Sequence, residues 1–134
     1  VVGVDPGTKR IGVAMSDSAR SLAFPRPSVP AGDEAITKLV ELVREESVDL
    51  VVVGRPISLN GTDTASTANA DAFRDELAAQ LSPICVIAFD ERLTTVSAQR
   101  QLSNAGLSAR GQRDVIDSAA ATVLLQSFLD RDDA

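Results

Sequence analysis

Carboxylates stand at three places where a packed α/β chain gains little from them. Asp5 closes the apolar run Val1-Val2-Gly3-Val4 and is followed at once by Pro6-Gly7. Asp90 and Glu91 follow a second apolar run, Ile84-Cys85-Val86-Ile87-Ala88-Phe89, and Asp117 sits in the apolar sequence that ends the chain, with Asp114 three residues before it. An ionised carboxylate at the end of a buried strand is costly unless a cation balances it. Three or four of them drawn together cannot all stay ionised without cations between them. One or two Mg²⁺ or Mn²⁺ ions would satisfy such a cluster and could activate water for in-line attack on a phosphodiester. Each acid also has a plainer use. Asp5 could form an Asx-type turn, Asp90 and Glu91 could pair with Arg92 or cap the next helix, and Asp114 could sit favourably in a first helical turn.

The residue inventory narrows the chemistry. The chain has no His, which removes Ser-His and Cys-His nucleophiles and His-ligated zinc. A single Cys, Cys85, excludes an intramolecular disulfide and cysteine-cluster metal sites, and it fits a reducing cytoplasm. With no Trp or Tyr and four Phe, an aromatic platform for stacked bases has little support. Catalysis is left to carboxylates, Arg, Lys and hydroxyls. The net charge of −6 is unevenly spread. Asp33, Glu34, Glu41, Glu45, Glu46 and Asp49 gather around one predicted helix, and residues 130–134 read as an acidic tail. Arg92, Arg100, Arg110 and Arg113 cluster late in the chain, while Lys9, Arg10 and Arg55 fall in loops after strands. All 13 basic residues except Lys9 and Lys38 are Arg, the side chain shaped for bidentate phosphate contacts. Either a local basic face or an ordinary mixed-charge surface follows from that pattern.

The elements that must position these residues come from periodicity. Strands are expected at Val1–Asp5, Arg10–Ser16 and Ser21–Val29, the last held to a sheet edge by Pro25 and Pro27. Ile36, Leu39, Val40 and Val43 lie on one face of a helix over Asp33–Glu46. Asp49–Gly54 has an all-apolar centre and reads as a parallel strand covered on both faces. A polar loop over Arg55–Ser66 leads to a helix over Ser66–Leu81, marked by Phe73, Leu77 and Leu81, and then to a strand over Ile84–Phe89. Thr94 or Thr95 caps a helix to about Asn104, and a final helix runs over about Gln112–Asp130, burying Ile116, Ala119, Ala120, Val123 and Leu124. The order βββαβαβαα in 134 residues suits one domain, 1–134, built as a mixed sheet with helices on it. No apolar run approaches the roughly 18–20 residues of a membrane span. If the strands ending in Asp5 and Asp90-Glu91 are parallel, their acids emerge at the same carboxyl edge, where open α/β sheets place their ligands. The small Ser118-Ala119-Ala120-Ala121 run lets the last helix approach closely and add Asp117.

Four segments, in order along nearly the whole chain, resemble the YqgF/RuvX family of RNase H-like proteins. They are Asp5-Pro6-Gly7-Thr8-Lys9-Arg10-Ile11-Gly12-Val13-Ala14, Val52-Val53-Gly54-Arg55-Pro56 with Asn60-Gly61-Thr62, Asp90-Glu91-Arg92-Leu93-Thr94-Thr95, and Asp117-Ser118-Ala119-Ala120-Ala121. The resemblance implies an RNase H-like α/β fold with a five-stranded mixed sheet of order 3-2-1-4-5. It implies an acidic triad of Asp5, Glu91 and Asp117, with Asp114 auxiliary, and divalent-metal-dependent cleavage of structured nucleic acid. The expected substrate is branched DNA or precursor ribosomal RNA, with Lys9, Arg10, Arg55 and Arg92 on its phosphates. Arg92 could equally be an ion-pair partner for a neighbouring acid. Two departures from the family pattern, Arg55 for an apolar residue and Asn60 for Asp, bear on substrate preference. Two other readings stay open: a non-catalytic module bound to RNA, ribosome or transcription machinery, and a phosphate-binding ATPase-like domain. Symmetric junction cleavage would need a homodimer. The last strand, an edge in this order, carries Cys85 and could form its seam, while the plainer reading packs Cys85 under a helix.

Overall fold

In the computed structural model, which describes residues 1–58, 60–98 and 118–132, five strands form one mixed sheet of order β3-β2-β1-β4-β5. They are β1 (Val2–Asp5), β2 (Arg10–Ser16), β3 (Ala23–Pro30), β4 (Leu50–Arg55) and β5 (Cys85–Asp90). The first three form an antiparallel meander, and β1, β4 and β5 run parallel. Topology and strand order follow the expectation, and β3, with Pro25 and Pro27 inside it, is the edge it was expected to be. The helices are α1 (Ala35–Glu45), α2 (Ala65–Leu81) and α3 (Ala119–Asp132), with a 3₁₀ turn at Glu91–Leu93.

Alternation along the parallel strands builds two cores. Val2, Val4, Val51 and Val53 point to one face, where Leu39, Val43, Leu77 and Leu81 of α1 and α2 cover them. Val52 and Phe89 point to the other face, against Leu124, Leu125 and Leu129 of α3. Phe128 meets the ring of Phe89 edge-on at 5.9 Å between centroids. Full burial of Val51, Val52 and Val53 confirms a central strand covered on both sides.

Helix α3 lies very close to the sheet because glycine faces it. A Cβ at Gly3 would stand 2.8 Å from the Leu125 Cβ, and one at Gly54 would stand 2.7 Å from a Leu124 methyl. Small residues on the helix had suggested close approach; the matching gaps are on the strands. Ala121 is fully buried, whereas Ala120, expected to be buried, is exposed. Helix α3 also continues through Asp132, so Asp130 belongs to the helix and not to a tail. The start expected for that helix, with Ile116, lies outside the described residues.

The β2–β3 ladder slips between Ile11 and Val13, and a buried hydroxyl repairs it. Ser118 accepts a hydrogen bond from the Val13 amide at 3.0 Å and donates one to the Arg26 carbonyl at 2.6 Å. Further along, Gln126 accepts from the Ala23 amide and donates to the Ser21 carbonyl, fastening the same helix to the start of β3. At the opposite edge, Cys85 is exposed on β5, which corrects the reading that packed it under a helix. The reason is that α3 covers Phe89 but leaves Cys85 and Ile87, on the same side of the strand, uncovered. Replacing Ser118 by Ala strands a buried amide and a carbonyl, and is expected to cost about 1–3 kcal/mol in urea unfolding.

Candidate active site

The parallel register of β1, β4 and β5 delivers the acids to one edge of the sheet. Val4 pairs with Val53, and Arg55 pairs with Asp90, so β1 and β5 end on either side of Gly54. Asp5 is one residue past Val4 and therefore leaves the sheet on the α3 face, the side that Gly3 presents to Ala121 and Leu125. Glu91 reaches the same face by another route. It opens the 3₁₀ turn directly after β5, and its side chain passes over Gly54, where a Cβ would lie 3.4 Å from the Glu91 Cγ and Cδ.

Every residue of the Asp90–Thr95 segment helps to hold Glu91, apart from Leu93, which is exposed. Asp90 caps the turn by accepting from the Arg92 amide at 2.9 Å. Thr94 donates from both its amide (3.2 Å) and its hydroxyl (2.9 Å) to the Glu91 carbonyl. Thr95 donates its amide to Ser127 of α3 at 3.1 Å, and its hydroxyl accepts from Ala98, starting a helix whose residues 96–98 are described. Thr95 is thus the cap expected there.

Asp5 and Glu91 hydrogen-bond each other, and both hold protons more tightly than ordinary carboxylic acids. Burial is the main cause for each. For Glu91 the adjacent Asp5 charge, the hydrogen bond to it and the charge of Asp90 add to burial and raise its pKa to about 7. A pair of this kind fits a hard dication: two half-buried carboxyls crowd their four oxygens together beside Gly54. Among the described residues no three His, Cys, Asp or Glu side chains converge as a metal-holding group. Asp117 and Asp114 lie outside the described residues. Ser118, the neighbour of Asp117 in the chain, is fastened to the sheet as described above.

The cations predicted for phosphate contacts divide between places. Lys9 is exposed in the β1–β2 turn. Arg10 donates from Nε to Ser28 at 2.7 Å. Arg55 leaves the sheet on the α2 face, opposite Asp5 and Glu91, because it shares its side of β4 with Val53. There Asp71 of α2 takes its Nε (2.9 Å) and Nη2 (3.1 Å), and Asp63 takes Nη2 at 3.3 Å. Arg92 is held by both oxygens of Asp90, the ion-pair alternative foreseen for it, so Asp90 serves capping and pairing while Glu91 alone joins Asp5. These contacts hold the Asp71 and Asp90 carboxyls below the usual carboxylate range. Arg100, Arg110 and Arg113 lie outside the described residues. Sequence reading passed over Asp71, whose contact lies 16 residues from Arg55, and over Gly54, whose place directly after a buried valine run was the available signal.

In metal-free protein the raised Glu91 pKa is a debt against the folded state at neutral pH. The folded chain binds the proton more tightly than the unfolded one, so stability is full below about 4.5 and falls as pH rises to about 7. Glu91→Gln is expected to flatten that fall and to leave the variant more stable than the parent above pH 7. Thermal unfolding in EDTA across that range checks both.

Comparison with known proteins agrees with this geometry. Among solved structures, T. thermophilus RuvC in complex with a Holliday junction substrate superposes with a TM-score of 0.65 over 99% of this chain and 95% of RuvC, at 15% identity. Fowlpox virus resolvase, also solved with Holliday junction DNA, gives 0.54 over 97% of this chain and 96% of its own, at 12% identity. The shared architecture is the RNase H-like fold. A protein of Mycobacterium ulcerans (strain Agy99) named "Putative pre-16S rRNA nuclease" is 46% identical over 132 residues, 97% of this chain and 78% of the relative. One of the same name from Leifsonia xyli subsp. xyli (strain CTCB07) is 41% identical over 136 residues, 99% of this chain and 86% of the relative. The family model described as RuvX, Holliday junction resolvase, matches residues 1–131, and the chain belongs to that nuclease family.

Proposed function

We propose that the chain is a divalent-metal-dependent endonuclease acting on structured nucleic acid, with Asp5, Glu91 and Asp117 as its catalytic carboxylates and Asp114 beside them. The observation that carries the proposal is the Asp5–Glu91 pair at the carboxyl edge of β1 and β5, two acids packed so closely that they favour a shared proton. Mg²⁺ or Mn²⁺ bound by these carboxylates would supply Lewis-acid activation of water and stabilise charge on the phosphoryl oxygens. Asp5, at the end of β1, and Glu91, in the 3₁₀ turn after β5, would hold the ion. The Asp90 cap and the Thr94 bonds keep the Glu91 carboxylate aimed over Gly54. Lys9, in the turn that follows Asp5, and Arg10, at the start of β2, would contact substrate phosphates. Arg92 reaches a phosphate by exchanging it for the Asp90 oxygens that now occupy its fork. Arg55 serves the same substrate from the α2 side.

The family description supports branched DNA as the substrate, and the names of the relatives support precursor 16S rRNA. Offering both to the purified chain with Mg²⁺ or Mn²⁺, and following strand scission, decides between them. Cutting a four-way junction symmetrically requires two active sites, and β5, which among the described residues pairs with no strand on its outer side, offers a second copy an edge on which to pair. Light scattering under reducing conditions, with and without junction DNA, reads that association.

Asp5→Asn, Glu91→Gln and Asp117→Asn are each expected to lower cleavage about a hundredfold or more, the scale of several kcal/mol of lost charge stabilisation. Undiminished metal-dependent cleavage in all three variants would refute the assignment. Because Glu91 must lose its proton to hold the cation, the Mg²⁺ concentration for half-maximal rate should rise as pH falls below about 7. Arg92→Ala should weaken substrate binding and reduce the slope of log affinity against log salt by about one phosphate contact. An unchanged slope would leave the Asp90–Arg92 pair a purely structural one.

A further inference from the structure

Directly beyond the turn that follows Asp5, on the opposite face of the sheet, lies a cavity of about 430 Å³. Its floor is apolar, with Ile36 of α1 and half-buried Phe73 of α2 drawn from the core on that side. Its rim is polar, with the hydroxyls of Thr8 and Ser66, the amide of Asn69 and the carboxylates of Asp33 and Glu76, all on exposed residues. Pro6, Gly7 and Thr8, which follow Asp5 in the chain, form one wall. Lys9, exposed and without an ion pair among the described residues, stands at the end of that turn.

The chemistry of the rim selects the occupant. Two carboxylates repel a phosphate and can only accept hydrogen bonds when ionised. A group that suits this lining has an apolar body for the floor and hydrogen-bond donors on its edge for the rim. A nucleobase bearing an amino group, with the hydroxyls of its ribose, answers that description, and Asn69 can both donate to and accept from a base edge. The volume lies within the roughly 300–1,000 Å³ common for small-molecule sites and takes a nucleoside. We propose that this cavity seats one unpaired nucleoside of the substrate strand, base inward and phosphates outward, while the adjoining phosphodiester crosses the Pro6–Thr8 turn past Lys9 to Asp5 and Glu91. The inference rests on the nuclease reading above and adds to it a requirement for an unpaired nucleotide beside the cleaved bond. A fully paired duplex cannot fill the cavity, whereas a branch point or a single-stranded flank can. Uracil, with no amino group, is the poorest occupant.

The test uses substrate strands carrying 2-aminopurine at successive positions, read in EDTA so that binding is seen without cleavage. The chain has no Trp or Tyr, which keeps the probe's signal clear of protein emission. Fluorescence should rise severalfold at one unpaired position and at no paired one. Asn69→Leu, at an exposed site on α2, should abolish the rise. In Mg²⁺ it should also raise KM roughly tenfold with kcat within about twofold, the signature of binding shared equally by substrate and transition state. Ser66→Leu, on the same rim, should repeat the effect, and thermal melts confirm that both variants fold. An unchanged fluorescence rise and unchanged KM in both variants would overturn the assignment while leaving the nuclease intact. Probe entry that depends on Asn69, in a chain that cleaves nothing under any metal, would keep the cavity and overturn the nuclease reading.

Discussion

Repulsion between the Asp5 and Glu91 carboxylates is the constraint around which the sheet edge is organised. Left to themselves the two groups would separate or stay protonated. They cannot separate, because β1 and β5 flank β4 in fixed parallel register and the backbone of Glu91 is tied down by Thr94 and, through Thr95, by Ser127, so the pair holds a proton more tightly instead. The core supplies the opposing stabilisation: fully buried valines on β1 and β4, with helices on both faces, make the register too costly to shift. The strained pair is thus a product of rigid surroundings, and a cation that relieves it gains from work already done during folding.

Much of this was legible because the deciding information was local. A strand that ends in an acid, as at Asp5, or a helix whose apolar residues recur at 36, 39, 40 and 43, declares itself within a dozen positions. Strand boundaries moved by one or two residues from expectation, and Arg10–Ser16 did not move. The two-sided burial of β4 followed from its unbroken valine run. The Asp5–Glu91 pairing came through the family resemblance joined to a parallel-strand argument, since neither residue alone separates a metal ligand from a turn or a cap.

What escaped was everything decided by which face of a strand a residue occupies at long range. Arg55 looked like a neighbour of the carboxylates because it follows Gly54 in the chain. One step along a strand reverses the face, so it lies with Asp71 and Asp63 instead. Cys85 looked like a core residue by type and is exposed, because α3 packs on Phe89 and leaves the start of β5 bare. Ser118 looked like part of a small-residue run that permits close packing. Its hydroxyl turned out to complete a ladder whose irregularity no local pattern in β2 or β3 announces.

That last contact reverses an ordinary expectation about where the chain tolerates change. Edge strands are usually where families accept an added or lost residue. Here the slip between β2 and β3 is the socket for the hydroxyl next to Asp117, so the length of an outer strand is coupled to the seating of a residue on the far side of the chain's order. An indel in β3 that left the core untouched would still move the socket. The outermost strand of the meander is therefore as closely dimensioned as the edge that carries Asp5 and Glu91, and shortening it would require reshaping the beginning of the last helix.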